Sequence, residues 1–129
     1  MKYNFDKNLD ESGVIFVTAK IESHTFRMML DTGATHTTLD IGALYVAGYS
    51  IANKLGTVDV ETAKGTLGVD IIEVENMTAL GRTLHKIPIQ VYDFVAQGII
   101  SDYDGLLGLD FFKNTVFCID MNNNTIEVK

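Results

Sequence analysis

The feature that most constrains the fold is a series of short apolar runs separated by turn residues. The run 14–19 is rich in β-branched and aromatic residues, a composition typical of strands. The run 25–30 places Phe26, Met28 and Leu30 on one face by two-residue alternation. Little of the chain has a helical pattern. We therefore predict an all-β fold, a small closed barrel or a pair of packed sheets with one or two short helices.

The middle of the chain predicts a β-hairpin. Two strand-like runs, 58–63 and 66–71, flank Lys64 and Gly65, which we expect to form its tight turn. Because Pro88 has no N–H to donate, we expect it at a sheet edge or a strand end. Further strands are expected over 72–77, 83–91, 116–120 and 125–128.

Two short segments have helical signals. Asp40 can cap a helix over 41–47 that ends at Gly48. The segment 105–112 predicts a strand that runs into one helical turn. No repeat, linker or low-complexity tract divides the chain, so residues 1–129 are expected to form one domain of ordinary size.

Composition argues against several classes of function. With 17 acidic and 10 basic residues, the net charge is −7, and no basic cluster favours a nucleic-acid partner. The longest uncharged stretches, 41–53 and 94–101, are shorter than the roughly 20 residues of a membrane span. The N-terminus has no export-signal pattern, so we expect a cytoplasmic protein. No zinc-ligand spacing occurs and no metal or cofactor is expected, while the single Cys118 is interpreted as a small buried side chain.

The most informative motif is Asp31-Thr32-Gly33, which directly follows the predicted strand 25–30. Alone it is weak, because a chain of this length contains such a triplet by chance in roughly a few per cent of cases. Its setting makes it more specific. Some 75 residues later, two apolar residues and a glycine lead into the predicted helical turn near the end of the chain.

This combination resembles the retropepsin-like aspartic proteases, the single-lobe family of retroviral type, and it looks most similar to their cellular and bacterial members. The resemblance covers nearly the whole chain and implies an acid-protease lobe. The residues that carry it are the loop Asp31, Thr32, Gly33, Ala34 and Thr35, the flap around Ala63, Lys64, Gly65 and Thr66, and the apolar-apolar-glycine segment Leu106, Leu107 and Gly108.

The resemblance implies an endopeptidase in which Asp31 from each of two chains forms the catalytic pair. Two carboxylates about 3 Å apart share one proton, a pattern for which aspartic proteases are the reference case. The charged one can activate water while the protonated one donates to the substrate carbonyl. Because Asp-Thr-Gly occurs only once in the sequence, activity requires a homodimer. Thr125–Lys129 would supply interface strands, and the substrate would be an extended polypeptide covered by the flaps.

The neighbours of Asp31 have roles that the resemblance implies. Thr32 would hydrogen-bond across the two-fold axis, and Gly33 would leave its N–H to bind a carboxylate oxygen. Ala34 stands where pepsin-like lobes carry a hydroxyl residue, and the absence of that hydroxyl favours activity closer to neutral pH. Thr35 stands where retroviral enzymes usually carry an aspartate that helps to hold the substrate backbone, so that role is left open.

Three other readings compete with the general protease. The Asp31 motif could be an ordinary turn after a strand. The same fold could serve as a catalytically silent dimerisation or peptide-binding module, since fold does not determine function. The enzyme could also be restricted to one partner protein. His36 is interpreted as a loop residue and not as a catalytic base.

Overall fold

The computed structural model describes residues 1–7, 14–99 and 102–129. Within these ranges the backbone is mostly strand, so the predicted all-β class is confirmed. The strands in chain order are β1 (Lys2–Asn4), β2 (Asp6–Lys7), β3 (Ile15–Ile21), β4 (His24–Leu30), β5 (Thr38–Asp40), β6 (Gly56–Thr62), β7 (Gly65–Ala79), β8 (Arg82–Tyr92), β9 (Gly105–Leu107), β10 (Phe117–Asp120) and β11 (Thr125–Val128).

The predicted helix is confirmed to within one residue. Helix α1 spans Ile41–Val46, and the Asp40 carboxylate caps it by accepting a hydrogen bond from the N–H of Gly42 at 3.1 Å. Gly48 follows with φ +94°, a conformation that glycine adopts readily after a helix. None of the described helices is long and apolar enough to cross a membrane. Two single 3₁₀ turns span Ile51–Asn53 and Leu109–Phe112.

Six strands of the described chain close into a barrel. Strand β3 pairs with β4, and β9 lies between β4 and β5, parallel to the first and antiparallel to the second. Strand β5 then pairs with β8, β8 with β7, and β7 returns to β3. Strands β2 and β6 extend the sheet outside this ring. Closure brings the end of β4 and the end of β9 side by side, so the two motifs singled out in the sequence meet there.

A second sheet joins the two ends of the chain. Its order is β1, β11, β10, so β11 lies in the centre and pairs with a strand of the same chain on each side. Ile126 in the middle of β11 is fully buried and lies opposite Tyr3 and Ile119. The interface role expected of Thr125–Lys129 stays a prediction. Both main-chain edges of β11 are already paired within the chain, so β11 has no free edge for pairing with a strand of a second chain.

The core lies inside the barrel and under α1. Inward-facing residues of the strands alternate with exposed ones, as in β3, where the buried positions recur two apart. Burying each large apolar side chain contributes about 1.5–3 kcal/mol relative to leaving it in water. The largest fully buried side chains include Ile21, Met28, Leu39, Leu44, Ile72, Met77, Ile89, Leu107 and Phe111.

The hairpin turn lies one residue before its predicted place. Thr62 pairs with Gly65, so Ala63 and Lys64 form the two-residue loop and Gly65 is the first residue of β7. Gly65 has φ +118°, where side chains other than glycine are strained. The glycine was therefore correctly recognised as special but was assigned to the wrong position of the turn.

The strand predicted over 72–77 is wrong as a separate element, because β7 runs without a break through the hairpin and the barrel. The sequence changes pattern there because the buried face changes. Leu67, Val69 and Ile71 line a cavity beneath the hairpin, whereas Ile72 and Val74 point to the opposite face and enter the core. One strand thus serves two different buried environments.

The prediction for Pro88 is confirmed in its edge alternative and wrong in its strand-end alternative. Pro88 lies inside β8 opposite Glu73 of β7, but the other side of β8 is still a local edge there, because pairing with β5 begins at Gln90. Two residues further on, the N–H of Gln90 donates to the carbonyl of Thr37 at 3.0 Å, next to β5. By strand alternation, the nitrogen of Pro88 faces the same side of β8 as the N–H of Gln90, the side of β5. Pro88 lies before the point where pairing with β5 begins. A proline therefore costs no ladder hydrogen bond on that side.

The interpretation of Cys118 as a buried side chain is wrong for this chain, because Cys118 is exposed. It lies in β10 between Phe117 and Ile119, both half-buried. Alternation places the thiol on the outer face of the terminal sheet beside Glu127 of β11. The apolar run around Cys118 therefore forms a strand that is covered on only one face.

Candidate active site

Asp31 begins the loop that follows β4. Its backbone N–H donates to the carbonyl of Leu107 in β9 at 3.0 Å, which fixes the point where the chain leaves the barrel. Its carboxylate is half-buried and accepts a hydrogen bond from the N–H of Gly33 at 2.9 Å. A Cβ at position 33 would lie 3.2 Å from that carboxylate oxygen, so glycine leaves the oxygen room.

Two glycines allow β9 to pass very close to the Asp31 loop and β5. A Cβ at Gly108 would lie 2.6 Å from the carbonyl carbon of His36, and a Cβ at Gly105 would overlap the carbonyl oxygen of Thr38. Larger residues would push these backbones apart. The apolar residues between the glycines divide their roles, since Leu107 is fully buried and Leu106 lines the cavity beside the loop.

A second carboxylate holds the far end of the loop. Asp110 accepts the N–H of Thr37 with its two oxygens at 2.9 and 3.0 Å, and it accepts the Thr37 hydroxyl at 2.7 Å. The same hydroxyl accepts the N–H of Gly108 at 3.2 Å. Thr37 is fully buried. Neither Thr37 nor Asp110 is predicted from the sequence, where the available signal is an acidic residue in the first turn after Gly108.

A cavity of about 610 Å³ lies between the Asp31 loop and the β6–β7 hairpin. Its volume falls within the usual range of ligand sites. The hairpin contributes an apolar wall, and the loop contributes Thr35 and His36, whose side chains are exposed and joined by a hydrogen bond of 2.9 Å. The lining also includes Gly33, Ala34, Val58, Val60, Leu67, Val69, Pro88, Gln90 and Leu106.

The tip of the hairpin borders a second cavity of about 210 Å³. Ala63 and Lys64 line it, and the Lys64 ammonium donates to the carbonyl of Gln97 at 3.3 Å. Gly65 and Thr66 are exposed and lie outside the lining of both cavities. The four predicted flap residues are therefore together in one hairpin, but only two of them border a cavity.

Tyr92 lies where the two cavities meet, because it lines both. Burial, followed by the nearby Tyr103 and Asp40, raises the pKa of Tyr92 above its ordinary value of 10.0. The phenol is therefore neutral across the working range of pH and can donate a hydrogen bond. Among the described residues, no group of three or more His, Cys, Asp or Glu side chains could hold a metal ion.

Comparisons with known proteins identify the family and the fold of this chain. Residues 17–114, about three quarters of the chain, match the family described as gag-polyprotein putative aspartyl protease, and the chain belongs to that family. The crystal structure of a retropepsin-like aspartic protease from Rickettsia conorii matches with a TM-score of 0.72 at 20% sequence identity, covering 98% of this chain and 88% of that one. The predicted retropepsin-like fold is therefore confirmed. Among curated proteins, none matches this sequence.

Proposed function

We propose that this protein is a homodimeric aspartic endopeptidase in which Asp31 of each chain supplies one carboxylate of the catalytic pair. The observation that carries the proposal is the placement of Asp31. Its carboxylate accepts the Gly33 N–H at the start of a loop that lines a large, mostly apolar cavity. Membership of an aspartyl protease family supports a catalytic role for this carboxylate, and with a single Asp-Thr-Gly motif the proposed pair needs a second chain.

The mechanism follows from two carboxylates that hold one proton between them. The ionised carboxylate takes a proton from water as the water oxygen attacks the scissile carbonyl carbon. The protonated carboxylate donates to the carbonyl oxygen, which yields a tetrahedral diol. Collapse of the diol breaks the C–N bond. The leaving amine takes the proton of the protonated carboxylate, while one diol hydroxyl gives its proton to the ionised carboxylate as its C=O forms, so the pair again holds one proton. The Gly33 N–H would stabilise the ionised member, and Thr32, which is exposed, would link the two loops across the axis.

The proposed substrate is an extended polypeptide. Strand β6 is the outermost strand of its sheet in the described part of the chain, so it offers a main-chain edge to a peptide. The apolar side chains of the hairpin would cover the peptide, and the hairpin would act as the flap. We place the enzyme in the cytoplasm, as the sequence analysis predicted. The Thr35 and His36 pair replaces the acidic clamp of retroviral enzymes with a neutral hydroxyl and an imidazole.

The test is cleavage of a diverse peptide library by wild-type protein and by Asp31→Asn, from about pH 4 to 7. Sedimentation would first establish that both proteins are dimers. We expect cuts with wild type and a fall in kcat/KM of about 10³-fold or more in Asp31→Asn. Asp102→Asn, which changes an exposed carboxylate in a surface ion pair, is the matched control and should keep full activity.

The outcomes separate the competing functions. Cuts that persist in Asp31→Asn would refute the catalytic pair. Wild-type dimers that bind a statine peptide but cut only one partner protein would indicate the restricted enzyme. Dimers that bind peptides without cutting any of them, and without a preference for statine, would indicate the silent binding module.

A further inference from the structure

The loop from Asp31 to Thr37 is attached to the segment 107–110 through five pairs of residues. Three pairs are joined by backbone hydrogen bonds, from Asp31 to Leu107 at 3.0 Å, from Leu109 to Ala34 at 2.9 Å and from Asp110 to Thr35 at 3.3 Å. The other two involve side chains, since Thr37 donates to the Asp110 carboxylate and the Thr37 hydroxyl accepts the Gly108 N–H. The residue types at positions 37 and 110 therefore control these two attachments.

In the contact between Asp110 and Thr37, both donors of a buried threonine are hydrogen-bonded. One carboxylate receives both donors of Thr37, and the Thr37 hydroxyl also accepts the Gly108 N–H. Hydrogen bonds to an ionised acceptor are shorter and roughly twice as strong as neutral ones. Because Thr37 is fully buried, removing the carboxylate would leave its N–H and hydroxyl without the acceptor that they have now, which is costly for buried donors.

Thr37 also connects the loop to the wall of the cavity. Its carbonyl accepts the N–H of Gln90, and Gln90 lines the cavity beside the Asp31 loop. The next residue, Thr38, begins the pairing of β5 with β8. A shift of Thr37 would therefore move both the end of the loop and the adjoining edge of the groove.

We propose that Asp110 is a positioning residue that sets the orientation of the Asp31 carboxylate through Thr37. The proposal rests on the function proposed above, and it assigns Asp110 no contact with substrate. The backbone hydrogen bond at Leu107 fixes the first end of the loop, and Asp110 fixes the second. With both ends fixed, the loop holds Asp31 at the position and angle that the catalytic pair requires.

The test compares two inhibitors on confirmed dimers. Both are one peptide, built on a sequence that the library shows to be cut. One version carries statine at the scissile position, and the other carries 3-deoxystatine, which lacks the hydroxyl that binds between the carboxylates. The ratio of their inhibition constants reports carboxylate alignment, because contacts with the groove are common to both and cancel. For wild type we expect a ratio of about 10²-fold or more.

Two pairs of variants examine the contact from both sides. Asp110→Ala removes the acceptor, whereas Asp110→Asn keeps one acceptor oxygen. Thr37→Val removes the hydroxyl at similar volume, whereas Thr37→Ser keeps it. We expect the ratio and kcat to fall about tenfold or more in Asp110→Ala and Thr37→Val, because small displacements of catalytic groups are costly. Asp110→Asn should lower the ratio less than Asp110→Ala does, and Thr37→Ser should keep most of the wild-type ratio.

Asp120→Asn is the matched control for stability. Asp120 accepts hydrogen bonds from the N–H groups of Asn122 and Asn123 and from the Asn123 side chain, in the turn between β10 and β11. This carboxylate likewise receives three hydrogen bonds, but they lie within its own turn. Asp120→Asn should therefore lower resistance to denaturant while leaving the inhibitor ratio unchanged.

The outcomes distinguish the proposal from the function on which it rests. A wild-type ratio near one would overturn the catalytic pair, and with it the role of Asp110. A high wild-type ratio that persists in Asp110→Ala and Thr37→Val dimers would overturn the positioning role alone. If Asp110→Ala does not fold, Asp110→Asn and the two Thr37 variants decide by the same ratio.

Discussion

The Asp31 loop and the β6–β7 hairpin face each other across one cavity, but the chain holds them in different ways. The loop is attached at both ends and at points between to a segment more than 70 residues away in sequence. The hairpin is held by its own ladder, which pairs Gly56–Thr62 with Gly65–Ile71. At its tip, Lys64 reaches the carbonyl of Gln97. One wall of the cavity is thus built into the barrel, and the other extends from it.

This difference suits the two tasks of the proposed enzyme. A catalytic carboxylate must be held in one orientation, which close contacts between backbones provide. A cover must open for a polypeptide to enter, which a hairpin supported mainly by local pairing allows. The glycines show the same division. Gly108 is packed against the backbone of His36, whereas Gly56 and Gly65 have open space around the position of a Cβ.

The largest effect is expected where this comparison is sharpest, at Gly108. Gly108→Ala would place a methyl group against the backbone of His36, and we expect it to lower the free energy of unfolding by about 1–3 kcal/mol or more. Gly56→Ala has open space and no positive φ, so it should be neutral or stabilising by up to about 1 kcal/mol. Urea denaturation at one fixed protein concentration measures both. Equal losses would show that the loop is no more constrained than the hairpin.

A smaller effect is expected from Gly65→Ala at the hairpin tip. The added methyl group meets no other atom within 4 Å, but φ +118° is strained for alanine, at a cost on the order of 1 kcal/mol. Because the strain lies in a locally supported hairpin, we expect faster amide exchange over 58–69 and a several-fold lower kcat/KM, with little change in the global denaturation midpoint. A midpoint shift as large as that of Gly108→Ala would contradict the proposed independence of the hairpin.

The smallest effect tests a carboxylate outside both regions. Hydrogen bonds from Asn123, first from its side chain and then from its backbone, lower the pKa of Asp120 below its ordinary value of 3.8. A depressed folded-state pKa stabilises the fold above pH 3.8, and this contribution disappears as the pH falls below that value. The stability difference between wild type and Asp120→Asn should therefore shrink between about pH 6 and pH 3. A difference that does not change with pH would contradict the lowered pKa.

Local patterns predicted much of this protein correctly. The strand class, helix α1 with its cap at Asp40, and the strand that leads into Asp31 follow from propensity, capping and two-residue alternation. The predicted hairpin turn lies within one residue of the observed turn, because glycine is one of the few residue types that tolerate the backbone conformation at position 65. Such features depend on neighbouring residues, so they can be read along the chain.

The candidate site could be predicted only in part, for the same reason. The sequence indicates that the Asp31 motif and Leu106–Gly108 belong to one combination, but their contact depends on the insertion of β9 between β4 and β5. Nothing near Asp110 in sequence indicates that it accepts both donors of Thr37, which lies 73 residues away. The exposure of Cys118 also depends on which face of its sheet is covered.

Local sequence patterns therefore predict most of the longer elements and their approximate bounds, and they single out Asp31 as the candidate residue at the centre of the site. The tertiary fold establishes which of those elements are neighbours, and hence that Asp110 meets Thr37 and that β7 lies in two buried environments. The physical reason is that propensities and periodicities act between neighbours in the chain. Barrel closure instead pairs strands that are far apart in sequence, and their contacts exist only once the chain has folded.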